Sequence, residues 1–371
     1  ADRLESPVEL LAPTVDDPSG LVRLEGVRAL AMLGGKRAAE LALHAVDHER
    51  DDALDYAVWL TARETKDAWL PGVLDGTFDD GGRIGRLIFA VAAAEAEAAV
   101  PRIVAAIETG KCPDADRPAA FSAIARLGSP EQLRRVLDVV TNPATPPAQA
   151  AALLGDLLDS HKRRHVVPAG DVARIERLVT SPDDACAARA IEATAAWQVT
   201  AASEELAEIA VAGGRSPEVR TSAIAALGLL PGDPPREALM KLCTAPGHNE
   251  GFAAAAIAAL VPHSTADAAT QAVAFLGRAR DAKARTAVFQ AFLSTKDGAA
   301  KLAAALARSS TPLPTDAAKD GQQAVSAAGR PEPALAQALA AAVAHAAAGP
   351  RQPAASPHAM RGGVGREWRG R

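Results

Sequence analysis

Three stretches of this chain follow one pattern. They are Val22–Leu30, Val219–Leu227 and Ala284–Phe292. Each reads small apolar, Arg, two variable positions, small, large apolar, variable, Ala, large apolar. Weaker copies lie at Phe121–Leu127, Cys186–Thr194 and Phe252–Leu260. Repetition of this kind limits a chain to stacked units, because one short unit cannot bury its own apolar face and must lean on the next.

The pattern predicts a helix in each unit. In the second copy the apolar residues Val219, Ala223, Ala226, Leu227 and Leu230 fall at offsets 0, 4, 7, 8 and 11, which is one face of an α-helix. The first copy places Val22, Gly26, Ala29, Leu30 and Leu33 at the same offsets. The small residue at offset 4 predicts close approach of a neighbouring helix. Pro18, Pro113, Pro143, Pro182, Pro217 and Pro246 stand at or just before these helices. Ser181-Pro182-Asp183-Asp184 and Ser216-Pro217-Glu218 read as an N-cap, a first-turn proline and acids on the positive helix end. Gly34, Gly128 and Gly228 are expected just past the helix ends.

Helix starts recur at roughly 30 to 39 residues, the length of a helix pair with short turns. Second helices are expected at Ala38–Val46, Pro130–Val140, Ser203–Val211, Arg236–Cys243 and Ala299–Arg308. No stretch alternates as a strand would. The expected fold is all-α, with about ten antiparallel pairs over residues 18–345 after a lead-in of residues 1–17. Pairs of this length resemble HEAT repeats, and that resemblance implies a right-handed α-solenoid. Two stretches break the rhythm. Ser160–Gly170 reads as a polar, basic insertion within one pair. Residues 346–371, Pro-, Gly- and Arg-rich past Gly349, read as a disordered tail.

Composition narrows the function. Hydrophobic residues make up 49% and aromatics only 3%, so alanine carries the apolar content and stability comes from many small contacts. A formal charge of −5 weighs against a general nucleic-acid binder. The longest apolar run, Ala334–Ala348, contains Gln337 and His345 and is too short and too polar for a membrane span. The first 30 residues lack a signal peptide's pattern. The chain opens at Ala1 without a methionine, so it is expected to be a fragment or a processed product. Cys112, Cys186 and Cys243 are odd in number and far apart, which predicts packing residues and not a disulfide or zinc framework.

The chain holds no GxSxG, GxxxxGK[ST], GxGxxG or HExxH motif, so no catalytic residue is assigned. His44 and His48, four apart with Glu49 beside them, have metal-ligand spacing. HEAT-like metal enzymes such as deoxyhypusine hydroxylase carry several facing His-Glu pairs, and here one stands alone, so a solvated helix end is expected and no metal residue is assigned. His161-Lys162-Arg163-Arg164-His165 is the densest basic run and is expected to be a solvated loop. HEAT-like DNA glycosylases need a broad basic face, which one such run does not make. Asp55, Tyr56, Trp59, Arg63, Glu64 and Trp69 form the aromatic-rich part of the chain. Core packing between repeats is expected there, with Arg63 ion-paired to Asp55 or Glu64; the alternative is a binding hot spot. Gly81-Gly82-Arg83-Ile84-Gly85 follows no strand and reads as a turn entering a helix.

Two phrases carry a closer resemblance. One is Leu54–Glu64 with Trp69-Leu70-Pro71. The other is Leu313–Lys319 with Ser326–Leu335. Both resemble the HEAT region of bacterial PVC-type haem-binding CxxCH proteins. That family joins a dehydrogenase-like β-propeller, a HEAT solenoid and a C-terminal c-type cytochrome domain. The resemblance covers most of residues 18–345. It implies a spacer or docking module among redox domains in the periplasm or cell envelope, with partners that are proteins or neighbouring domains. Pro357–Gly365 is similar to the sequence around a haem-binding histidine, yet Ala354 and Pro357 stand where the two cysteines before His358 would be. No cofactor residue is therefore carried over. A free-standing adaptor for a peptide or protein is the second expectation, and a HEAT-fold enzyme the third.

Overall fold

A computed structural model describes residues 7–245 and 249–347, and every regular element among them is helical. The chain divides into two compact units, the first ending at Ser264 and the second beginning at Thr265. The first opens on α1 (Pro7–Leu11) and a 3-10 turn, Ala12–Asp16, so part of the expected lead-in is helical. Seven helix pairs follow. They are α2 (Gly20–Leu33) with α3 (Lys36–Ala42), α4 (Asp52–Glu64) with α5 (Lys66–Asp75), and α6 (Ile84–Ala94) with α7 (Val100–Glu108). Next come α8 (Arg117–Leu127) with α9 (Pro130–Val140) and α10 (Pro147–Arg164) with α11 (Glu176–Val179). The last are α12 (Asp184–Ala196) with α13 (Ser203–Val211) and α14 (Pro217–Leu229) with α15 (Asp233–Thr244). Helix α16 (Glu250–Leu260) closes the unit. The second unit holds α17 (Thr265–Leu276), then α18 (Ala282–Leu293) with α19 (Gly298–Arg308) and α20 (Thr315–Ala327) with α21 (Pro333–Ala347). From residue 348 onward the expected tail lies outside the described residues.

Neighbours in sequence are neighbours in space. In the first unit each first helix packs on the first helix of the next pair, from α2 on α4 through to α14 on α16. Among second helices α3 packs on α5, α11 on α13 and α13 on α15. In the second unit α17 packs on α19, α18 on α20 and α19 on α21. This nearest-neighbour pattern is that of an α-solenoid. No described helix is long and apolar enough to cross a membrane.

The predicted helix face holds in α14, where Val219, Ala223, Ala226, Leu227 and Leu230 are all buried. In α2 the buried set is Arg23, Gly26, Val27 and Leu30, and Val22 is exposed. The face is turned because α2 meets only the short α1 and the 3-10 turn on its N-terminal side. The small residue at offset 4 does what its size predicts: a Cβ on Gly26 would collide with the side chain of Thr14 in that turn. In the second unit a Cβ on Gly321 would come within 2.7 Å of Phe289 and 2.9 Å of Leu339, so only glycine lets α20 lie this close to α18 and α21.

Helix ends depart from expectation in detail. The cap of α12 is Asp183, whose carboxylate accepts from the Cys186 amide at 2.8 Å, and Ser181 lies outside the helix. Ser216 caps α14 as predicted, accepting from the Val219 amide. Gly34 and Gly128 sit just past α2 and α8 as expected, Gly34 with φ 67° and Gly128 with extended backbone, but Gly228 lies inside α14. The basic run His161–Arg164 is no loop. It is the last turn of α10, where positive charge suits the negative end of the helix. The extended connection begins only after His165.

The arginine of the repeat pattern has a structural role. Arg23 donates to the Asp17 and Pro18 carbonyls behind it and to the Glu49 carbonyl ahead, just before α4. Arg220 donates to the Ala210 carbonyl on α13 at 2.9 Å and stacks 3.9 Å from the Phe252 ring on α16. Arg285 donates to the Ala279 carbonyl and pairs with Asp320 on α20 at 2.6 Å. Each side chain thus links the segment before its helix to the next pair, and each charge has partners, as its burial demands. A second set of cations serves the carbonyls that a helix end leaves unpaired. Arg164 reaches the Arg126 and Gly128 carbonyls at the end of α8, Lys66 the Ala94 carbonyl at the end of α6, and Arg177 the Thr141 carbonyl after α9.

Candidate interaction face

Helix α4 is capped by Asp51, which accepts from the Leu54 amide at 2.8 Å, and it carries Asp52 and Asp55 in its first turn. Its buried side is Leu54, Ala57, Val58, Thr61 and Ala62. These are mostly small residues, so the helix lies close to α2 and α6. The large side chains point the other way. Tyr56 is 60% exposed and stacks on half-buried Trp59, with centroids 5.8 Å apart and an interplanar angle of 22°. The Arg63 guanidinium lies 5.4 Å from the Trp59 ring and reaches toward the Ala93 carbonyl of α6 at 3.5 Å. Just before α4 the Arg50 guanidinium lies 5.3 Å from the ring of Phe89 on α6. The outer side of α4 therefore sets two rings against a guanidinium, and a further ring–guanidinium contact joins Arg50 to α6; these are the residue types that dominate binding hot spots.

The aromatic cluster seen in the sequence divides accordingly. Trp69 is fully buried, donates from Nε1 to the Ala62 carbonyl at 2.8 Å and packs on Phe78, so for it the core expectation holds. For Tyr56, Trp59 and Arg63 it does not. Asp55 pairs with Arg50 at 2.9 Å, and Arg63 lies on Trp59 instead of pairing with Asp55 or Glu64. Arg63 and Glu64 are both exposed. Helical periodicity alone could not separate the two sides, because small residues took the inner one.

His44 and His48 converge on the Asp16 carboxylate, at 3.3 and 2.9 Å. Burial works to raise the Asp16 carboxyl, but the bonds from His48 and His44 outweigh it and hold it below its ordinary range. The group ties the 3-10 turn Ala12–Asp16 to the turn Leu43–Asp47. Glu49 contributes its backbone carbonyl to Arg23 and not its side chain. Among the described residues no three His, Cys, Asp or Glu side chains are arranged to hold a metal ion. In the basic run, Lys162 pairs with Glu192 on α12 at 2.8 Å and His161 meets the Val166 carbonyl. Gly81 and Gly82 form the predicted turn before α6, with φ 61° and 72°.

A second surface gave no signal in the sequence. A groove of about 580 Å³ runs between α12 and α14, lined by Ala188, Arg189, Ile191, Ala195, Ala225 and Leu229 among others. Leu229 is 67% exposed. Ala188 and Ala225, which stay at least partly open, help line this groove, and nothing in a sequence separates them from the alanines of the core. Cys112, Cys186 and Cys243 are buried free thiols, and burial pushes Cys243 up to about 12. No protein-family model matches the chain, and no curated protein is significantly similar to it.

Proposed function

We propose that this chain is a non-catalytic helical scaffold that holds a protein partner, or a neighbouring domain of a longer chain, against the outer side of α4. The observation that carries the reading is the exposed ladder of Tyr56, Trp59 and Arg63. Rings of this size exposed beside a guanidinium contribute little inside a fold and much at a contact. The phrase Leu54–Glu64, which resembles PVC-type haem-binding proteins, is this same helix. Together they support a spacer that docks redox domains in the cell envelope. The groove between α12 and α14 favours a second reading, an adaptor that takes a peptide.

A photo-crosslinking residue at position 56 of the full chain, in its native host, separates these readings. The expected adduct is a protein or domain bearing a β-propeller or a c-type haem, lost when Trp59→Ala is added. An adduct with an unrelated partner would favour the adaptor. Labelling no stronger than from exposed position 28 would overturn the contact face.

A further inference from the structure

Helix α11 is the shortest in the first unit, four residues that continue a 3-10 turn, Val172–Ile175. Its first residue, Glu176, faces Glu205 in the first turn of α13, the helix of the next pair on which α11 packs. The two line a cleft of about 460 Å³ with Ala173, Arg174, Arg177 and Thr180. The neighbouring cations are turned elsewhere. Arg174 pairs with Asp138 at 2.8 Å, and Arg177 donates to the Thr141 carbonyl. At the far end of the cleft Arg215 reaches the Thr180 and Ser181 carbonyls and pairs with Asp184. Glu204 and Glu208 on α13 are exposed. The other helices packed on this pair carry Asp184, Arg189 and Glu192 on α12, Glu218 and Arg220 on α14, and Asp233, Arg236, Glu237 and Lys241 on α15. None of these lines the cleft. Oε2 of Glu205 is shut off from water and takes no hydrogen bond from any described amide, hydroxyl or cation.

Two carboxyl groups so placed cannot both ionise without cost. We propose that Glu176 and Glu205 form a proton-operated latch between the fifth and sixth helix pairs. With one proton between them, the carboxyl of Glu176 donates to the carboxylate of Glu205 and closes α11 on α13. When that proton passes to water the two carboxylates repel, and α11 loosens. Burial, and then the charge of Glu205, raise the Glu176 carboxyl above its ordinary value. The sign follows: the unfolded chain loses its proton first as pH rises. The added hold is complete in mild acid, fades through the interval above the ordinary glutamate value, and is gone once Glu176 ionises.

Hydrogen exchange of the full chain tests this, with rates corrected for intrinsic amide chemistry and referred to α8. Protection of residues 172–180 is expected to fall severalfold between pH 4 and pH 7.5, as Glu176 loses its proton. Glu205→Gln keeps a hydrogen bond to Glu176 without the second charge and is expected to abolish the fall. Glu176→Gln, with the amide on the other side, is expected to do the same, which guards against misfolding of either variant. Protection in the wild-type chain that stays level or rises with pH would overturn the latch. So would variants that keep the wild-type fall.

Discussion

In α4 the inner side is Leu54, Ala57, Val58, Thr61 and Ala62 and the outer side presents Tyr56, Trp59 and Arg63. In α14 the inner side is Val219, Ala223, Ile224, Ala226 and Leu227, and the outer side presents Thr221, Ser222, Ala225 and Leu229. The inner sides are near-equivalents, two or three large aliphatic side chains set among small residues. The outer sides differ in size, charge and chemistry. A stack needs only its inward positions to match the neighbouring helices, so outward positions are free to specialise pair by pair. The rings of the second pair and the alanine-lined groove beside the seventh are where the pairs differ most.

Four substitutions sharpen that contrast, each read from thermal or denaturant unfolding. Trp69→Ala, which removes the buried indole of the second pair, is expected to cost about 3–5 kcal/mol. Leu227→Ala in the seventh pair is expected to cost about 2–5 kcal/mol, since Leu227 is wholly buried. Arg220→Ala removes a carbonyl bond and a stacked ring contact, and about 1–2 kcal/mol is expected. Trp59→Ala is expected to move stability by no more than about 0.5–1 kcal/mol. If Trp59→Ala cost as much as Trp69→Ala, the outer ladder would be core, and the contrast between the two sides of α4 would collapse. If Leu227→Ala cost nothing, the inward face of α14 would be misassigned.

Much of the architecture was legible because it rests on strong local signals. The offsets of the repeat pattern, prolines at helix starts and Ser216 as a cap each act over one turn, and α2, α8, α12, α14, α16 and α18 all lie where the pattern put them. What was misread depended on competition between neighbours. Ser181 and Asp183 are both good caps, and the carboxylate nearer the helix won. The run His161–Arg164 looked like a loop because it is polar, yet its charges favour the end of a helix and reach the carbonyls of α8. Gly228 looked like a helix stop, but α14 runs on to Leu229, where a Cβ on that glycine would come within 2.9 Å of Ala259. The ladder of Tyr56, Trp59 and Arg63 was found as residues but assigned to the wrong side. Size usually predicts burial, and here alanine and threonine took the inside.

The three thiols have a use of their own. Cys112 follows α7, Cys186 opens α12 and Cys243 ends α15, so they sample three separate joints of the first unit. All are sealed from solvent, and burial raises each thiol, Cys243 to about 12. A thiolate-seeking reagent at neutral pH therefore has nothing to attack until a joint opens. The order in which the three cysteines become labelled would be a clock of local opening along the array, written into the chain without any engineered probe.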